Sequence, residues 1–420
     1  MYQVALALLL VAATPFLLVR RGRHYVQTFS RRLGFAAASP VDMAAPLWLH
    51  AVSVGEVGVA AALIRSLPTD TPLLVSTITP TGLQEACRLL GDRAEIQLHP
   101  FDFGFALKPF FDRLEPTALV LVEGDLWPLA LRYSRQRGLP IVVINGRISD
   151  RNFARLRRLR AFIRPLFEPV DFFAMQSSQD RERLLELGVP AEKIEVTGNV
   201  KFDSPAPTRN SDLEGTIARL AGGRTVLVAG STMAGEEEMV LDAFDRVGSQ
   251  RAVLLLAPRH PERWPAVVEQ LKARGTDFLR RSDLTGSSSV SENHQPAVLL
   301  LDSLGELAGL YAVANAAFIG GTLVPTGGHN PLEAARYATP VVVGPSMQNF
   351  PEISCLFDEA SAWQRVHDAE SLGACWNRWL DDPDRAVQLG HAGERIVVKN
   401  RGAVKRTLTI LTRWLPALED

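Results

Sequence analysis

From about residue 46 onward the chain alternates between two patterns. Short unbroken apolar runs are followed by longer segments whose apolar residues recur at helical spacing. Leu47-Trp48-Leu49, PLLVST (72–77), ALVLVE (118–123), PIVVIN (140–145) and DFFAMQ (171–176) read as strands buried on both faces. VAAALIRSL and LWPLALRYSRQRG, which fall between such runs, read as helices. This is βαβ alternation, which predicts a mostly parallel sheet covered by helices on both sides. The pattern stops at DSPAPTRNSDLEG (203–215), a polar, proline-containing stretch with the character of a linker. It restarts with TVLVAGS (225–231), AVLLLAPR (252–259), PAVLLLDS (296–303), AAFIGGT (316–322) and PVVVGP (340–345). RSDLTGSSSVSENHQ (281–295) reads as a polar surface loop. The expected fold class is therefore α/β, with two doubly wound, Rossmann-like domains in series facing a cleft. The expected boundaries are 21–204 for the first domain, 205–215 for the linker and 216–420 for the second domain. In such sheets ligands bind beyond the carboxyl ends of the strands. Every stretch singled out below lies at such an end.

The first residues break the pattern. Residues 2–19, YQVALALLLVAATPFLLV, carry no charge and are followed by Arg20, Arg21 and Arg23. As a helix they would be about 27 Å long, enough to cross a bilayer core. Positive charge after the apolar run, not before it, argues against a secretory signal. It places the remainder on the cytoplasmic side of a membrane. The expectation is an N-terminal anchor over residues 1–20, with Pro15 and the marginal length also allowing a shallower, interfacial attachment.

Composition narrows the function classes. The 420 residues are 47% apolar, ample for two cores, and the formal net charge is −1, which gives no global attraction for nucleic acid. Cys87, Cys355 and Cys375 are widely spaced and form neither a metal pattern nor a disulfide framework. There is no P-loop, no HExxH and no nucleophile elbow.

Candidate chemistry gathers at the strand ends. In HAVSVGEVG (50–58), Ser53, Gly55 and Glu56 form a strand-to-helix turn. Ser53 as N-cap with Glu56 three residues on is a capping box, and the helix N-terminus would stabilise a carboxylate there. VEGDLWP (122–128) puts Glu123 and Asp125 at another strand end, and GNVKFD (198–203) brings Lys201 next to the linker. In the second half, AGSTMAGEEE (229–238) offers Ser231 and Thr232 to an anion, and its acidic run Glu236 to Glu238 suits a helix first turn. LAPRHPERW (256–264) puts Arg259 directly after a strand, where a guanidinium suits a phosphate. DSLGELAGLY (302–311) offers Glu306, able either to cap a helix or to hold ribose hydroxyls. GGHNPLEAARYA (327–338) has Asn330 as a candidate N-cap, Pro331 at the first helical position and Glu333 placed for a capping box. With Gly327, Gly328 and His329 before it, it reads as an exposed helix N-terminus behind a glycine loop, suited to phosphate or a sugar hydroxyl. NGRISDRNFARLRRLRAFIR (145–164) holds seven arginines and a single acid, Asp150. Such a helix is either a solvated face or a surface for anionic lipid headgroups or a phosphorylated lipid substrate.

Taken together, HAVSVGE, TPTG (79–82), PFD (100–102), LWP (126–128), GNVKFD, PRHPER (258–263), GEL (305–307) and GGHNPLEAA (327–335) resemble the 3-deoxy-D-manno-octulosonic acid (Kdo) transferases of lipopolysaccharide synthesis. The resemblance runs from the apolar N-terminus almost to the C-terminus. It implies the two-domain GT-B glycosyltransferase fold. It also implies a metal-independent, inverting transfer of Kdo from CMP-Kdo onto the lipid A precursor (lipid IVA), with no cofactor, at the cytoplasmic face of the inner membrane. Glu56 matches the general base, and Glu123 and Lys201 match groups that stabilise the transition state. Pro258, Arg259, Leu304, Gly305, Glu306, Asn330, Pro331, Leu332 and Glu333 match the CMP-binding segments. Ser53, Gly55, Ser231, Thr232, Gly328 and His329 are secondary candidates. Two positions depart from the pattern. Asp125 stands where the family has a second glutamate, and Met233 stands where it has a histidine. The alternatives are a GT-B enzyme using another nucleotide sugar, or a membrane-anchored sugar-nucleotide-binding protein without catalysis.

Overall fold

A computed structural model describes Gln3, Arg32, Leu33 and residues 45–204, 209–284 and 294–414. Apart from Gln3, the expected anchor lies outside the described residues. No helix among the described residues is long and apolar enough to cross a membrane.

The chain divides into two compact units, residues 1–204 with 400–420, and residues 205–399. The first is built on seven parallel strands: β1 (Leu47–His50), β2 (Leu73–Thr77), β3 (Glu95–Leu98), β4 (Ala118–Val122), β5 (Ile141–Gly146), β6 (Phe172–Met175) and β7 (Ile194–Val196). Their order is β3-β2-β1-β4-β5-β6-β7, so the winding reverses between β1 and β4. Side chains of successive residues point to opposite faces, and both faces are packed. Leu47, Leu49, Val120 and Val122 enter one core, and Trp48, Leu119 and Leu121 enter the other. This double burial is why the strands read as unbroken apolar runs.

The second unit repeats the plan with β8 (Thr225–Thr232), β9 (Ala252–Pro258), β10 (Phe278–Arg280), β11 (Val298–Leu300), β12 (Ala316–Ile319), β13 (Val341–Val343) and β14 (Gln364–Arg365). The order is β10-β11-β9-β8-β12-β13-β14, with the reversal between β8 and β12. Each sheet has a register irregularity near a strand's carboxyl end, in the β5–β6 pair of the first and the β8–β9 pair of the second. One lies between Val143 and Gly146 around Asn145, and the other between Gly230 and Thr232 around Ser231. Asn145 (φ 51°) and Ser231 (φ 57°) both adopt the left-handed backbone conformation that only strong surroundings impose on a non-glycine residue.

Three details differ from the sequence expectation. Residues 211–221, partly assigned to the linker, form a helix capped by Asn210, whose side chain accepts from Leu213 N–H at 3.1 Å. The polar loop begins with an ordered turn, Arg281–Leu284, while residues 285–293 lie outside the described residues. The C-terminal helix Ala403–Trp414 groups with the first unit, not with the second. Both carboxylate oxygens of Asp203 accept from its first turn, from Gly402 N–H and Val404 N–H at 2.6 Å each. Ile410 and Leu411 are buried in the first core. Each such side chain is worth about 1.5–3 kcal/mol, enough to keep this helix on the sheet.

Candidate functional site

In the first unit the site begins at the turn after β1. Ser53 caps the helix Val54–Ile64, its hydroxyl accepting from Glu56 N–H at 3.4 Å. The capping box is modified. The Glu56 carboxylate accepts from the Ser53 hydroxyl at 2.9 Å, and it reaches past the cap to accept from Val52 N–H at 2.8 Å. Glu56 is only 8% exposed. Burial pushes its carboxyl up to about 7, with Glu123 and Asp125 adding to the push and the Val52 and Ser53 bonds opposing it. A buried acid poised near neutrality is what a general base requires. Gly55 stands exposed in the same first turn.

Several of the quoted motifs prove to be props for this turn. Thr79 caps the helix Pro80–Leu90 and donates its hydroxyl to Val52 O at 3.3 Å. A Cβ on Gly82 would fall 2.8 Å from Thr79 Oγ1 and 3.3 Å from Val52 O, so TPTG needs its glycine for close approach. Trp127 Nε1 donates to His50 Nε2 at 3.1 Å. An indole can only donate, so His50 carries its proton on Nδ1 and gives it to Ser76 Oγ at 2.8 Å. Burial lowers His50 to about 3, which leaves it neutral and unfit as a base at pH 7. Asp102 of PFD accepts from Leu129 N–H at 3.0 Å and Ala130 N–H at 2.8 Å, capping the helix Pro128–Gln136 that LWP starts.

Glu123 follows β4 with φ 61°, and Gly124 follows with φ 106°. This kinked end turns the carboxylate toward Lys201, whose Nζ lies 3.3 Å from Glu123 Oε1. Lys201 is held by a chain of amides. Asn145 Oδ1 accepts from Val200 N–H at 2.9 Å, and Gln176 Nε2 donates to Asn145 O at 2.8 Å. Asn199 Nδ2 donates to Gln176 Oε1 at 3.0 Å, and Asn199 Oδ1 accepts from Lys201 N–H at 3.0 Å. Glu56, Glu123 and Asp125 line one cavity of about 390 Å³ together with Arg147, Asn152, Arg155, Leu156, Ile163 and Phe167. The arginine-rich segment is two helices, Asp150–Arg158 and Arg160–Phe167, in which no residue is fully buried. Leu159 is 45% exposed and Phe162 82% exposed among these arginines.

In the second unit the expected residues form two groups. Ser231 and the buried Thr232 end β8, and Thr232 O accepts from Arg259 N–H at 2.9 Å, directly after buried Pro258. The exposed Arg259 side chain influences both His329 and Glu333. Burial, then Arg259 and His260, lower His329 to about 4, so it is neutral at pH 7. Burial raises Glu333 against the opposing charges of Arg336 and Arg259. The other group lies after β11. Glu306 accepts from Arg281 Nε and Nη2 at 2.8–3.2 Å and from the Ser303 hydroxyl. Burial opposes its ionisation, but Arg281 and Ser303 hold the carboxyl below its ordinary range. Beside it Gly305 has φ 85° and Leu304 is 67% exposed.

Two readings of this half need correction. The stretch GGHNPLEAA does not present a long helix N-terminus: the helix is a single turn, Leu332–Ala335. Pro331, not Asn330, is its N-cap, with no side-chain capping bond, and Asn330 Oδ1 instead accepts from Leu332 N–H at 3.1 Å. Leu332 is fully buried and serves as packing. The acidic run is not dipole chemistry alone. Glu237 is fully buried and pairs with Arg263 of PRHPER at 3.0 Å. The fully buried Glu236 accepts from four backbone N–H groups: Met233 at 2.9 Å, Gly321 at 2.6 Å, and Thr322 and Leu323 at 2.8 Å each. Among the described residues no group of three or more His, Cys, Asp or Glu is placed to hold a metal ion.

Comparison with known proteins agrees with this layout. A family model described as 3-deoxy-D-manno-octulosonic-acid transferase (kdotransferase) matches residues 27–204. The 3-deoxy-D-manno-octulosonic acid transferase of Haemophilus influenzae is 33% identical over 409 residues, covering 95% of this chain and 94% of that one. The Bordetella pertussis transferase of the same name is 34% identical over 408 residues, covering 94% of each. Among solved structures, a glycosyltransferase from Rickettsia africae is similar in fold, with TM-score 0.58 at 13% identity over 88% of this chain and 99% of that one. The fold is thus α/β with two parallel sheets and neighbours of the GT-B type. One-third identity sustained over nearly the full length of two named transferases decides the matter: this chain belongs to the 3-deoxy-D-manno-octulosonic acid transferase family of glycosyltransferases.

Proposed function

We propose that the protein transfers Kdo from CMP-Kdo to the lipid A precursor lipid IVA, with inversion, using Glu56 as general base. The observation that carries this reading is the buried carboxyl of Glu56, raised to about 7 in the same cavity as Glu123. An acceptor hydroxyl attacks the anomeric carbon of Kdo, its proton passes to Glu56, and the bond from that carbon to the CMP phosphate oxygen breaks with its electron pair leaving on CMP. Attack opposite the leaving group inverts the centre. Lys201, paired with Glu123, supplies positive charge near the reacting groups. CMP is assigned to the second unit, to Pro258, Arg259, Leu304, Gly305, Glu306 and the segment Asn330–Glu333, with Arg259 for the departing phosphate. The reaction as proposed uses no cofactor.

The acceptor side is supported by the cavity wall. Arg147 and Arg155 suit a phosphate, and Leu156, Ile163 and Phe167 suit hydrocarbon. The exposed Phe162 and Leu159 among arginines suit an anionic bilayer surface, consistent with action at the cytoplasmic face of the inner membrane.

The substitution Glu56→Gln tests the mechanism. Its amide oxygen can accept from Val52 N–H and its NH₂ can donate to the Ser53 hydroxyl, so the turn survives while the base is lost. CMP binding should be unchanged, and transfer should fall by about 10²–10⁴-fold. Transfer at the parental rate would overturn the assignment of the base.

A further inference from the structure

We propose that Glu236 is the positioning residue of the donor side. Its carboxylate fills the amide nest at the reversal point of the second sheet and holds the ends of β8 and β12 in one arrangement. This rests on the reading of the second unit as the donor-binding part.

The nest is made by the N–H groups of Gly321, Thr322 and Leu323 after β12 and of Met233 after β8. β8 and β12 are the two strands between which the winding reverses. In doubly wound folds, convergent amides at that point commonly receive a ligand anion. Here the protein's own carboxylate occupies them, fully buried, with both oxygens engaged. The donor phosphate is therefore left to other groups, Arg259 first among them.

The donor segments hang from this one nest. Thr232, next to Met233, accepts from Arg259 N–H at 2.9 Å. Gly321 O accepts from Gly328 N–H at 2.8 Å, and Gly320 O from His329 N–H at 3.2 Å. The loop has little freedom to settle elsewhere. A Cβ at Gly320 would lie 2.2 Å from Ser231 O, and one at Gly344 would lie 2.2 Å from Thr322 O. The charge and length at position 236 both matter. A glutamine brings one accepting oxygen where two are used, and turns an NH₂ toward N–H donors. An alanine leaves four N–H groups, those of Gly321 and Thr322 buried, without this acceptor.

The test uses the full-length protein with Glu236→Ala and Glu236→Gln, measuring kcat and KM for CMP-Kdo and thermal unfolding, each with and without added formate. Formate is a carboxylate small enough for the space left by the alanine. For Glu236→Ala, kcat/KM should fall by about 10–100-fold through a raised donor KM, since misplacement of a binding segment costs on that order. Formate should restore several-fold of it and raise the unfolding temperature of this variant alone. Glu236→Gln should keep the raised KM and not respond to formate. A parental KM in either folded variant, or a loss in Glu236→Ala that formate leaves untouched in both KM and unfolding temperature, overturns the proposal. If Glu236→Ala does not fold, Glu236→Gln decides by its KM. If the parental protein neither binds CMP nor transfers, the donor reading fails. The formate-dependent unfolding temperature then still decides whether the carboxylate organises the nest.

Discussion

A carboxylate that must accept a proton near neutral pH has to be lifted out of its ordinary range without being silenced. In the proposed mechanism Glu56 is that carboxylate: burial lifts it to about 7, and hydrogen bonds from Val52 N–H and the Ser53 hydroxyl keep the ionised form accessible. Two consequences follow for pH. With Glu56 as base, kcat/KM should rise about tenfold per unit up to about pH 7 and level off above it, read from a pH–rate profile. A profile flat from pH 5 to 8 would contradict the role. The stability effect has the opposite sense. The folded-state pKa lies above the unfolded value, so the contribution to stability is complete below about 4.5 and is lost as pH rises through about 7. Glu56→Gln removes that loss. It should match the parental protein in acid and gain up to about 3 kcal/mol above pH 7, measured by denaturant unfolding at several pH values. At this scale Glu56 was legible, because a glycine-flanked acid at a strand-to-helix turn is visible in sequence. Glu236 was not. Three successive glutamates look like one electrostatic feature, and only the fold turns the first into a nest, the second to Arg263 and the third to solvent.

At the scale of elements, the strands legible in the sequence are those buried on both faces. The ones missed are β3, β7, β10 and β14, the four outer strands of the two sheets. Edge strands are short, half-buried and mixed in polarity, so neither an unbroken apolar run nor a clean alternation marks them. The one-turn helix at Leu332–Ala335 failed for a related reason: capping residues advertise a start but do not set a length. Asp102 carries the element-scale prediction. It is 1% exposed and accepts from both Leu129 and Ala130 N–H at the start of their helix. Asp102→Ala should cost about 1–3 kcal/mol in denaturant unfolding, because it strands buried donors. The loss should also loosen Trp127 and, through it, His50. A change within a few tenths of a kcal/mol would show that the cap is dispensable.

For the whole molecule, the sequence pattern conveyed two doubly wound halves but not the return of the chain. Ala403–Trp414 reads as one more amphipathic helix. Its assignment to the first unit depends on Asp203, some two hundred residues away in sequence, and on a core that lies earlier still. The arginine-rich segment was legible as charge, whereas the exposed Phe162 and the cavity shared with Glu56 emerge only from packing. These are the features that the proposed transfer of an acidic sugar to a phosphorylated lipid would use. The most direct measurement is mass spectrometry of lipid IVA after incubation of the detergent-solubilised protein with a CMP-Kdo generating system. A mass increment of one or more Kdo units, absent with Glu56→Gln, is the predicted result. An unchanged lipid mass with the parental protein still binding CMP would contradict the acceptor, and an unchanged mass with no CMP binding would contradict the donor as well.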